Sequence, residues 1–184
     1  MLPSLRIRFD ALEEQRGRLL DHFGSIDAAL WVRPPSERAW SLAEIAHHLV
    51  LVERDIVRQM HGAVLPQHER RSLREVLGRF AVATMLRNGF RVPRSPRRVV
   101  PLPRLPYDLI RADWDDARLE LASSLAAIEE PALRRMVYYH AVAGRLDIEE
   151  ALKFIGDHLD HHLAQVVRTE RAIGISGDHI LTLP

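Results

Sequence analysis

Apolar side chains recur three and four positions apart in long blocks of this chain, and no extended run of β-branched residues alternates with polar ones. That spacing is the period of an α-helix with one buried face, and it excludes a fold built mainly from half-buried strands. The first block runs roughly from Ser4 to Leu30, with Leu5, Phe9, Leu12, Leu19, Leu20 and Phe23 as its buried stripe. After Pro34-Pro35, Ser41 opens a second helix, and Glu44 three residues later completes a capping box. This helix runs to about His61 and stops near Gly62 and Pro66. Ser72 and Glu75 repeat the capping pattern for a shorter helix ending near Gly89. Pro93, Pro96, Pro101, Pro103 and Pro106 then rule out regular helix across residues 89–106. Asp108 is placed to cap another long helix, through Leu121 and Leu125 to about Ile128. A linker with Pro131 and Gly144 leads to Asp147, an N-cap with Glu150 at the third position. The last helix covers about Ile148 to Ile173, before an irregular tail from about 174 to 184. The expected architecture is all-α, one domain over residues 1–184: a four-helix bundle with substantial connections, one of them Pro-rich, and one extra short helix.

With 184 residues, 47% of them hydrophobic, the chain is long enough to bury a core without covalent staples. It contains no cysteine, which excludes disulfide scaffolds, thiolate metal sites and cysteine nucleophiles. The formal charge of +1 gives no general pull towards nucleic acid or anionic membrane. A basic stripe (Arg87, Arg91, Arg94, Arg97, Arg98 and Arg104) follows the Pro-rich connection, and a solvated crossover loop is preferred to a phosphate-binding surface. Neither a signal-peptide core nor an apolar run long enough to cross a membrane is found, so a cytoplasmic location is expected.

Ten histidines carry the chemistry. The last helix holds His158-Leu-Asp-His-His162. Helical residues four apart differ by about 40° of rotation and about 6 Å of rise, so His158 and His162 can present both rings to one ion. Pairs at this spacing also occur on solvated faces. Helical phase separates the candidates: Ile148, Ile155, Leu159 and Val166 cluster with His162, His158 lies at the edge of that cluster, and His161 turns towards solvent. On the second helix, Ile45, Leu49, Val52 and Ile56 share a face with His48 at its margin, while His47 lies roughly opposite. The inward set is therefore His48, His158 and His162. His22, His61, His68 and His179 are expected on the surface, and Trp40, Trp114 and Tyr138-Tyr139 in packing roles.

Two stretches carry a resemblance. Trp40-Ser-Leu-Ala-Glu44-Ile-Ala-His-His48-Leu-Val has a Trp-Ser pair eight residues before a histidine. The run from His140 through Gly144 and Asp147 to His158-Leu-Asp-His-His162-Leu-Ala-Gln165 has a His, a Gly, a polar cap and then H-x2-H-H-x2-Q. Both resemble the DinB-like (YfiT, DinB_2) superfamily, in the expected order and over most of the chain. Ala141 stands where family members often have proline after the first histidine of the C-terminal signature.

The resemblance implies a four-helix bundle with a long crossover, frequent homodimers, and a nickel or zinc ion on a histidine triad, here His48, His158 and His162. Imidazole also suits iron, and manganese is a further possibility. His140, His161 and Glu44 are candidates for the surroundings of the ion, although the capping box already accounts for Glu44, and Gln165 is expected on the solvated face. Related bundles include transferases that use low-molecular-weight thiols, so thiol S-transfer or metal-dependent hydrolysis on a small molecule is the implied chemistry. A non-catalytic, stress-related helical module is the alternative.

Overall fold

The computed structural model describes residues 1–62, 97–140 and 143–176. Among them, four long helices form the bundle: α1 (Pro3–Gly24), α3 (Leu42–His61), α4 (Tyr107–Ala126) and α5 (Ile148–Ala172). A short helix α2 (Ala28–Trp31) follows α1, and a 3-10 turn (Arg97–Val99) precedes α4. The Ser72–Glu75 helix expected from the sequence lies outside the described residues.

The first expected helix is divided. Ser25 N–H and Oγ–H both donate to the His22 carbonyl, and Tyr107 Oη–H takes the Leu20 carbonyl at 2.8 Å, so the last turn of α1 is satisfied before it can continue. Asp27 then caps α2, accepting from Ala29 N–H and Leu30 N–H. Gly24 leaves room for the Tyr107 hydroxyl, since a Cβ there would meet Tyr107 Oη at 3.2 Å and push it back by a few tenths of an ångström.

Helix α4 begins after Pro106 without a side-chain cap, so Asp108 lies in its first turn and is not the expected cap. The two capping boxes, Ser41 with Glu44 and Asp147 with Glu150, are formed as expected.

The stretch expected as a plain linker contains a hairpin. Strand β1 (Met136–His140) pairs antiparallel with β2 (Gly144–Asp147), with an irregularity between Met136 and Tyr138. Gly144 sits at φ 75°, a conformation glycine adopts without strain. The run Met-Val-Tyr-Tyr-His is too short for its alternation to stand out, and its turn lacks a hairpin dipeptide. Asp147 both ends the ladder, opposite Met136, and caps α5.

Two apolar clusters fill the bundle. One gathers Leu5, Phe9, Ile56, Leu121, Leu125 and Ile155; the other Phe23, Trp31, Ile45, Trp114, Leu159 and Val166. Their membership gives the directions: α1 and α5 run one way, α3 and α4 the other. Parallel neighbours such as α3 and α4 need a connection that returns the length of the bundle.

A polar layer lies between the clusters. Arg118 (2% exposed) pairs with Glu53 (3%) through two contacts of 2.8 Å, with Glu13 and Arg16 beside them. No helix among the described residues is long and apolar enough to cross a membrane.

Candidate metal centre

The three histidines selected by helical phase converge between α3 and α5. His48 enters from α3, seven residues after the Ser41 cap, and His158 and His162 enter from successive turns of α5. One nitrogen of each ring lies within 4.8 Å of the others. His48 and His162 are 5% and 6% exposed, and the His158 imidazole is buried with theirs, although its residue as a whole keeps some exposure.

The outer nitrogens show which atoms face inward. His48 Nδ1–H donates to the Val99 carbonyl at 2.7 Å, and His162 Nδ1–H donates to Gln165 Oε1 at 2.9 Å. Each bond fixes the tautomer and leaves the Nε2 lone pair directed into the cluster. His162 Nε2 and His158 Nε2 stand 3.1 Å apart. Two such nitrogens need a shared proton or a cation between them. Ligands about 2.0–2.1 Å from a zinc ion, at angles near 90–110°, have nitrogens about 2.9–3.4 Å apart, so the observed spacing fits a common ion.

The electrostatics agree with that fit. Burial holds His162 down to about 3, drives His158 well below the ordinary imidazole value, and lowers His48. All three are neutral at pH 7, the form that binds metal. Aromatic rings wall the cluster: Trp40 lies 4.9 Å from His48 and stacks at 6.5 Å on His162, and Phe154 stacks at 5.5 Å on His158.

The remaining expected residues fall at different distances. His161 is partly buried with its ring 5.0 Å from His162, outside the converging set. His140 ends β1, where its Nδ1 accepts Ala143 N–H at 3.0 Å and its ring lies 5.0 Å from Phe154; burial lowers it to about 4. The Glu44 carboxylate accepts from Ser41 N–H and Oγ–H, both at 2.9 Å, which is its capping role.

Several residues depart from the expectation. Gln165 is not simply solvated: it orients His162. His47 is not turned to solvent but is 6% exposed, its Nδ1 accepting Leu102 N–H at 2.9 Å. His22 pairs with fully buried Glu170 instead of lying free on the surface. The Val99 carbonyl carries no sequence signal, because any residue there supplies one. Trp40, read as packing, also lines the site. Of the arginine stripe, Arg98 pairs with buried Asp55 at 2.7 Å, while Arg87, Arg91 and Arg94 lie outside the described residues. A groove of about 440 Å³ along Leu51, Arg54, Asp55 and Arg98 is not lined by the triad.

Fold and site together define a helical bundle with a buried tri-histidine centre that can hold a divalent metal ion. The chain belongs to the DinB superfamily, whose family model matches residues 11–166. No curated protein and no solved structure matches it.

Proposed function

We propose that this chain binds one divalent ion, zinc or nickel in preference to iron or manganese, on His48, His158 and His162. In the same proposal the ion serves a transferase acting on a low-molecular-weight thiol, or a hydrolase. The observation that carries the reading is the convergence of three buried, neutral imidazoles, two with their outer nitrogens already bonded to oxygen acceptors. Three protein nitrogens leave coordination positions for a small molecule, as catalytic ions require and closed structural ions do not. When bound, such an ion supplies Lewis acidity, which lowers the pKa of a ligated thiol or water.

The chain's own residues prepare the site. Val99 and Gln165 hold two rings in one tautomer and orientation, so little ordering remains when the ligands are engaged. Trp40 and Phe154 put apolar surface against the ring cluster and keep water from those sides. A small-molecule or thiol ligand and a homodimeric assembly belong to the same proposal, supported by membership of the family. Nucleic acid does not, because the formal charge is only +1 and the sequence carries no DNA-reading motif.

Elemental analysis of untagged, chelator-free protein tests the reading, beside a His158→Ala, His162→Ala double variant. About one ion per chain, lost in the variant, is the expected outcome. No ion in either, and no uptake of added zinc or nickel, would overturn it. An ion with no exchangeable ligand position would leave a clamp between helices and remove the enzymatic part.

A further inference from the structure

The segment from the 3-10 turn to α4 crosses α3 beside the triad, and four contacts seat it. Arg98 Nε lies 2.7 Å from Asp55 Oδ1. His48 Nδ1–H donates to the Val99 carbonyl at 2.7 Å, and Leu102 N–H donates to His47 Nδ1 at 2.9 Å. Trp31 Nε1–H donates to the Leu105 carbonyl at 2.9 Å. The Val99 side chain is itself buried, at 5% exposure.

His47 and His48 are consecutive, so their side chains leave α3 about 100° apart. They grip the segment with opposite polarity, one ring donating to a carbonyl and the other accepting from an amide. We infer that His47 is a positioning residue for the metal centre. It touches no converging nitrogen; by accepting Leu102 N–H it fixes the stretch whose Val99 carbonyl sets the direction of the His48 ring.

The physical argument is one of alignment. A side-chain hydrogen bond weakens steeply as its angle departs from linear. With no acceptor at position 47, Leu102 N–H must turn elsewhere, and the carbonyl three residues earlier moves with it. The His48 ring then turns more freely, and its Nε2 no longer waits in the direction shared by His158 and His162. The coupling is reciprocal. An ion on Nε2 makes Nδ1–H a stronger donor, so loading the site tightens the crossing segment.

This inference rests on the metal-binding proposal, and one set of variants separates the two. In His47→Asn the side-chain amide oxygen would lie near the place of Nδ1, whereas in His47→Gln it reaches further out and His47→Ala has no acceptor. Zinc affinity, by chelator competition, and backbone hydrogen exchange across residues 98–105 are measured in the wild type and the three variants. His47→Ala and His47→Gln are expected to bind zinc roughly tenfold more weakly, within the range for loss of a partner outside the ligand set. Both should exchange faster at Leu102, and His47→Asn should restore affinity and protection together.

A purely structural role would lower the thermal midpoint in all three without that ordering. If His47→Ala fails to fold, the His47→Asn and His47→Gln pair carries the comparison. Equal affinity in wild type and variants overturns the inference and leaves the metal reading standing. A wild type that takes up no zinc overturns both.

Discussion

At the scale of single residues, burial of neutral imidazole has a consequence that acid exposes. Above pH 6.5, the ordinary value, folded and unfolded chains both carry these rings neutral. Below it the unfolded chain takes up protons that the folded chain refuses, until about pH 4 for His140 and about pH 3 for His162. Metal-free protein should therefore lose stability as pH falls through that window, by up to about 1.4 kcal/mol per pH unit for each histidine. Urea midpoints at pH 7.5 and 5 in chelator check this, and a flat profile would contradict it. Gln165→Leu removes the acceptor of His162 Nδ1–H; it should weaken metal binding by roughly tenfold or more while leaving the helix intact. The triad was legible in the sequence because ligand spacing and helical phase agree at His158 and His162 and the phase of α3 selects His48. His47 was misjudged for a physical reason. Phase describes which way a ring leaves its own helix, and says nothing of a segment crossing from elsewhere to cover it.

At the scale of elements, the capping boxes were legible because each is a local event of four residues. Glu44→Ala should cost about 1 kcal/mol of stability through loss of the cap and leave zinc affinity at the wild-type value. A matching loss of affinity would give Glu44 a part in holding His48 after all. The β1–β2 hairpin and the break between α1 and α2 were not legible, since both depend on partners distant in sequence: Tyr107 at the end of α1, Gln59 and α5 around the strands. The charged pair between α3 and α4 is also invisible to periodicity, for Arg118 and Glu53 occupy positions a simple pattern gives to apolar residues. Arg118→Met leaves Glu53 buried without its counter-ion, and a loss of about 3–5 kcal/mol is expected in denaturant titration.

At the scale of the whole molecule, the histidine cluster joins α3 to α5 and the Arg118–Glu53 pair joins α3 to α4. The long crossover that the family resemblance implies agrees with the parallel run of α3 and α4. Because His48 and the α5 pair belong to different helices, ligand binding and global stability are one equilibrium. The thermal midpoint of wild-type protein should rise with free zinc concentration, with about 2.7 kcal/mol gained at a hundred times the dissociation constant. The His158→Ala, His162→Ala variant should show no such dependence. A midpoint equally indifferent to zinc in both would argue that the ion, if bound, does not hold the bundle together.

The residue that closes the hairpin ladder also begins α5, and this limits how the gene can change. His158 follows Asp147 by eleven positions, about 20° beyond three full helical turns. A single codon inserted between them would swing both imidazoles by about 100° and advance them by about 1.5 Å. Substitutions along that stretch can be absorbed one at a time, but a change of length cannot. The connection between α3 and α4 supplies none of the three histidines, so it can drift in length as well as in composition. Comparison of natural relatives should find gaps in the second region and none in the first.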